Sequence, residues 1–182
     1  MELCRDKSKN YEEFKSDEEW FYNQLKKWYP NWHIGWNCEG EDKYLKYDFL
    51  INCYCRIEFE SSTTPGWTSI CSPPQSWYEI HILSRKCEAD YWDYFIKVSE
   101  DKSTYWVISQ KTLQEIKGSV EYQSGKIVSN TTERKEESQN RFECIPLSFL
   151  GIWDDFYFSS DFEKLKNMIY NKSKLVRKVA GH

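Results

Sequence analysis

Two short runs hold the residue types best suited to chemistry: Lys46-Tyr47-Asp48 and Arg56-Ile57-Glu58-Phe59-Glu60. Side chains alternate faces along a strand, so Glu58 and Glu60 share one face and Ile57 and Phe59 the other. By the same rule Lys46 and Asp48 lie opposite Tyr47 and Phe49. An antiparallel hairpin turning about Cys53 sets Ile51 opposite Cys55, Asp48 opposite Glu58 and Lys46 opposite Glu60. That register requires an odd-length loop or a bulge; a two-residue turn shifts it by one and separates the carboxylates. In the first case three carboxylates converge beside one lysine. Like charges opposed on a sheet destabilise it, and Mg2+ or Mn2+, which favour clustered oxygen ligands, would relieve the repulsion. Such an ion activates water and neutralises charge on a phosphoryl group, while Lys46 would orient the water or stabilise the phosphate. The plainer alternative is a solvated acidic face with a Lys46–Glu60 ion pair.

These residues need a scaffold, and the rest of the chain supplies its parts. Residues 1–15 are a polar lead-in. Ser16-Asp17-Glu18-Glu19 reads as a capping box opening a helix to about Trp28, with Phe21, Leu25 and Trp28 as its apolar stripe. Glu18 falls on that stripe, and a carboxylate on the buried side of a helix needs a reason. Residues 29–42 read as a loop, 43–51 and 53–60 as strands, and 61–76, with Pro65-Gly66 and Pro73-Pro74, as a loop. Further strands are expected over 77–83, 93–98 and 105–109, then a short helix over 111–117. Residues 118–141 form a polar insertion; 142–150 are apolar again. A second capping box, Ser160 with Glu163, opens a basic C-terminal helix over 160–178. Helix, strands and helix in this order predict one α/β domain around a central mixed sheet.

An inward Glu on an N-terminal helix, then Asp48 in one strand and Glu58 in the next, resembles the PD-(D/E)XK nuclease-like superfamily over roughly residues 16–110. The resemblance implies a restriction endonuclease-like core, with residues 80–86 and 93–98 supplying its remaining strands. It also implies metal-dependent hydrolysis of DNA phosphodiester bonds, of restriction, resolvase or repair type. Asp48, Glu58 and Glu18 would then bind Mg2+ or Mn2+, with Glu60 on water or a second ion. The motif departs from the family in two places: Glu60 stands where lysine is usual, and Tyr47 where proline is. Lys46 and Lys86 are the candidates for a relocated lysine. Arg85 and Lys86, together with Lys172 and Lys174 in the basic tail, are expected to meet phosphates. Cutting both strands of a duplex would suit a homodimer. The alternative function is a catalytically inactive nuclease-fold module that binds nucleic acid or a protein partner.

Composition narrows the classes further. The 182 residues, net charge of -4 and 40% hydrophobic content suit a single soluble domain. There is no apolar run of membrane-spanning length and no secretory signal, which points to a cytoplasmic protein. Seven cysteines, an odd number, then read as reduced thiols. His33, Cys38, Cys53 and Cys55 match no zinc spacing. His81, between Ile80 and Ile82, reads as structural. The aromatic content of 18% is the chain's oddest feature. Trp67 and Trp77 are candidate base-stacking rings or core anchors.

Overall fold

A computed structural model describes residues 10–37, 47–61, 79–83, 86–87, 91–118, 126–127 and 141–175. The first helix, α1, spans Asn10–Trp28 and starts well before the expected capping box, leaving Ser16 exposed within it. Asp17 is half-buried and pairs with Lys102 at 2.6 Å rather than capping a terminus. The apolar stripe is as expected at Phe21 and Leu25, both fully buried, while Trp28 is half-buried. Pro30 follows the helix end.

Three strands come next: β1 (Ile34–Trp36), β2 (Phe49–Ile51) and β3 (Cys55–Ser61). β1 falls inside the stretch that reads as loop, because three residues beside a glycine are too few to show alternation. β2 and β3 are antiparallel, with Ile51 opposite Cys55 and Phe49 opposite Ile57. This is the register expected of an odd-length loop. The loop is Asn52–Tyr54, closed by a Tyr54 N–H to Ile51 carbonyl bond of 3.0 Å, with Asn52 and Cys53 left-handed at φ 52° and 62°. Asparagine tolerates this region; an ordinary L-residue is disfavoured there by about 1–2 kcal/mol. Cys53→Gly should therefore raise stability in urea denaturation by about 0.5–1 kcal/mol, after the entropy of glycine is counted, and Cys53→Val should lower it.

β4 (Glu79–Leu83) does not join this sheet, contrary to the sequence reading. It pairs antiparallel with β8 (Arg141–Pro146), which also pairs with the short β7 (Lys126–Ile127), making a separate three-stranded sheet. The alternation in β4 marks a strand with one buried face, and nothing local in it names the partner. The central sheet continues instead with β5 (Tyr94–Val98), parallel to β3, and then β6 (Tyr105–Ser109) and β9 (Phe156–Ser159), each antiparallel to its neighbour. Its order is β1-β2-β3-β5-β6-β9. The architecture is α/β with a mixed central sheet.

Helix α2 (Gln110–Lys117) is capped by Ser109, whose hydroxyl accepts from the Thr112 N–H. Helix α3 (Phe162–Leu175) is capped by Asp161, which accepts from the Glu163 and Lys164 N–H groups. The capping-box reading placed Ser160 there. Asp161 wins because it lies directly before the first helical residue and an ionised carboxylate accepts more strongly than a hydroxyl. One face of the central sheet packs Ile57 and Phe59 against Phe21 and Leu25 of α1 and Leu165 and Ile169 of α3. The other packs Phe95, Trp106 and Ile108 against α2 and the second sheet, through Leu113, Ile116, Ile80, Ile82 and Ile145. Among the described residues no helix is long and apolar enough to cross a membrane.

Candidate active site: a carboxylate–lysine cluster

Asp48 lies just before β2, beyond the last paired residues Phe49 and Ile57. Its N–H donates to the Ile57 carbonyl at 2.9 Å, and its carbonyl accepts from the Asn37 N–H at 2.9 Å. The side chain turns back on β3, where Oδ2 accepts from the Phe59 N–H at 2.6 Å. The backbone thus fixes the carboxylate directly, with little rotamer freedom left. Ile57 and Phe59 are committed to the α1 side, where Phe59 stacks on Phe21 at 4.5 Å between centroids. Alternation therefore sends Glu58 and Glu60 to the opposite face. Asp48 and Glu58 are only 6% and 3% exposed.

Lys86 answers this charge. Its Nζ contacts Glu58 Oε1 and lies 3.0 Å from Glu60 Oε1, above the Phe95 ring. The segment bearing it is pinned from both sides: the buried Trp92 indole N–H donates to the Lys86 carbonyl, and Gln114 Nε2 donates to the Cys87 carbonyl at 3.3 Å. Lys97, opposite Glu60 in the parallel β3–β5 register, places its Nζ 3.1 Å from Glu60 Oε2. Glu60 is gripped by two ammonium groups, one on each carboxylate oxygen. Glu18 takes the Trp36 indole N–H at 3.2 Å and lies close enough to Asp48 to disfavour its ionised form.

The electrostatics separate three roles. Burial above all, and then the neighbouring Glu58 charge, raise the Asp48 carboxyl well above its ordinary range; Lys86 and the Phe59 N–H oppose them. Burial would also raise Glu60, yet Lys86 and Lys97 overcome it and bring its pKa down to about 2. Burial would deprotonate Lys86, but Glu60, Glu58 and Asp48 outweigh it, so its pKa rises. Lys86 is therefore a fixed cation at neutral pH and unsuited to serve as a base. Glu60 is a lysine anchor. Glu58 is paired with Lys86, and Asp48 is the buried carboxyl whose ionisation is disfavoured.

No family model matches the chain, and neither a curated protein nor a solved structure does. What the site can do is read from its geometry. Asp48, Glu58 and Glu60 share one electrostatic cluster through Lys86, with Glu18 near Asp48, but among the described residues no three of these carboxylates gather as closely as a metal-binding group needs. Of the two lysines with a claim to the site, Lys86 occupies it and Lys46 lies outside the described residues, as does Arg85. Lys172 is elsewhere, paired at 3.1 Å with Asp93, which also accepts from Arg56 at the other end of β3. Lys174 lies 4.3 Å from the Tyr170 ring centroid. Lys97 was invisible beforehand: a lysine on a strand faces Glu60 only once the parallel register is known.

Asp48 and Glu58 offer carboxylate oxygens, the donor type that hard divalent ions prefer. The raised proton affinity of Asp48 comes first from burial and only then from the Glu58 charge.

Proposed function

We propose that this chain is a Mg2+- or Mn2+-dependent nuclease of restriction endonuclease-like architecture, hydrolysing DNA phosphodiester bonds. The observation that carries the reading is the buried pair of Asp48, tied to β3 through the Ile57 carbonyl and the Phe59 N–H, and Glu58, with the ammonium of Lys86 against Glu58. Asp48 and Glu58 would hold the ion, with Glu18 next to Asp48. A bound ion supplies charge neutralisation at phosphorus and lowers the pKa of water. The protein's own contribution is positional. The Phe59 N–H holds the Asp48 carboxylate in place, and Glu60 holds Lys86 protonated where its Nζ can pair with a phosphate oxygen. Lys86 thus fills the place of the lysine that Glu60 displaces from the usual motif. Lys172, Lys174 and Arg85 would track the duplex backbone, and a homodimer in an intracellular setting would cut both strands.

Plasmid nicking in Mg2+, Mn2+ and EDTA, run beside Glu58→Gln, tests this. The expected result is cleavage abolished by EDTA and reduced about 100-fold or more by the substitution, the loss of roughly 3 kcal/mol of transition-state stabilisation. Cleavage by Glu58→Gln at the wild-type rate would overturn the assignment. The second reading, an inactive nuclease-fold module, is favoured by the same Lys86–Glu58 contact, since the lysine already offsets part of the charge without a metal. Salt-sensitive duplex binding with no nicking in any ion would establish that reading.

A further inference from the structure

The second sheet holds a donor set of a different kind. In β4, Ile80 and Ile82 enter the core with Ile145 of β8, so Glu79 and His81 take the other face. Cys144 lies directly opposite His81 in the antiparallel register and joins them there. One ligand atom from each of Glu79, His81 and Cys144 lies within 4.8 Å of the others. His81 Nε2 already meets Glu79 Oε1 at 2.9 Å. Cys144 is 4% exposed, whereas the Glu79 and His81 side chains retain 27% and 31% exposure, so the set is open on the imidazole and carboxylate side.

We propose that Glu79, His81 and Cys144 form a zinc-class transition-metal site, independent of the carboxylate–lysine cluster. The chemistry of the donors separates the two. Asp48 and Glu58 offer only carboxylate oxygens, which suit Mg2+ or Mn2+; a thiolate and an imidazole select a softer ion such as Zn2+ or Co2+. The geometry is near what binding needs. Ligands at ~2.0–2.3 Å from a tetrahedral ion stand roughly 3.3–3.7 Å apart, so side-chain rotation would open the 2.9 Å His81–Glu79 contact slightly and close the widest gap, which is within 4.8 Å, with the strand pair unchanged. Three protein ligands leave a fourth position for water. The thiol proton of Cys144 passes to solvent on binding, and His81 ligates as the neutral imidazole. A buried cysteine packed as a small hydrophobe beside a Glu79–His81 ion pair accounts for the same residues without a metal. Both readings place the three donors on one side of the strand pair and differ in whether the thiol and imidazole take an ion.

Cobalt titration of the reduced, metal-free chain discriminates the two. One equivalent of Co2+ should bind with a thiolate-to-metal charge-transfer band and the intense visible bands of a tetrahedral site, and Zn2+ should bleach both. Cys144→Ser, nearly isosteric, should lose the charge-transfer band. His81→Gln and Glu79→Gln, at half-exposed positions, should weaken binding at least tenfold while keeping the wild-type circular dichroism. Cys53→Ser and Asp48→Asn should leave the spectrum unchanged. Loss of the band in Cys53→Ser would overturn the assignment, as would its survival in both Cys144→Ser and His81→Gln or the absence of any stoichiometric Co2+ binding. Because Asp48→Asn is a control, failure of the nuclease reading leaves this result intact.

Discussion

Asp48→Asn should melt at a higher temperature than the wild type in EDTA at neutral pH, and at a lower one in saturating Mg2+. The sign follows from linkage. In the unfolded chain the Asp48 carboxyl has its ordinary value of 3.8; folding raises it, first by burial and then by the Glu58 charge. A group raised on folding contributes stability that is fully present below its unfolded pKa and lost as pH rises through the folded one. Above that point the folded state carries the cost of an ionised, buried carboxylate beside another. Asparagine removes the charge and keeps an oxygen for the Phe59 N–H. A gain of ~1 kcal/mol corresponds to about 2–4 °C for a chain of this size, shrinking toward zero as the pH falls below 4. Mg2+ at about 100 times its Kd would stabilise the wild type by roughly 2.7 kcal/mol and reverse the order. Thermal melts across pH, with and without Mg2+, check both halves. A substitution that destabilises the metal-free protein at neutral pH would contradict the first, and an equal Mg2+ shift in both proteins the second. Nicking by the variant should fall by about 1,000-fold or more, as expected when a metal ligand is lost.

Lys86→Met should cost more stability than most single substitutions, about 3–5 kcal/mol in urea denaturation with EDTA. Methionine keeps an unbranched apolar side chain of similar length and removes the ammonium, with its ion pairs and its contact with the Phe95 ring. What remains is Glu58, with a side chain 4% exposed, deprived of its contact, and Asp48 beside it. Breaking a buried pair by removing one partner is far more costly than exchanging both. Lys86→Met/Glu58→Gln should therefore recover much of the loss, a coupling that a packing defect would not show. A Lys86→Met cost below about 1 kcal/mol would mean that water screens the cluster. Glu60 contributes in the opposite pH direction from Asp48: with its pKa lowered from 4.5 to about 2, its stabilisation is present above 4.5 and is lost as the pH falls toward 2.

The candidate site was legible in the sequence as far as local geometry reaches. Alternation placed Glu58 and Glu60 on one face, and an odd loop around Cys53 set Ile51 opposite Cys55 and Phe49 opposite Ile57; Asn52 and Cys53 in the left-handed region supply that loop. Asp48 lies just beyond that register, tied to β3 by hydrogen bonds with Ile57 and Phe59. What strand alternation does not encode is the neighbour across a long connection. Hence β4 reads as a core strand although it pairs with β8, and Lys97 goes unnoticed although it grips Glu60. Helix starts failed for a different reason. A Ser-x-x-Glu pattern is a cap only where the preceding residues leave the helix, and residues 10–15 do not. The aromatic excess resolves into cores on both sheet faces: Phe21, Phe49 and Phe59 on one, Trp92, Phe95 and Trp106 on the other.

The parallel pairing of β3 with β5 dictates when the site comes into being. Glu60 meets Lys86 and Lys97 across 26 and 37 residues of chain, whereas Asp48 meets the Phe59 N–H across 11. Loop closure delays contacts of high sequence separation, so the hairpin and its clustered carboxylates form early and the cations arrive with the crossover. The ion pairs that complete the site thereby close with the β3–β5 crossover, ahead of the β6–β9 pairing, whose partners lie still farther apart in sequence.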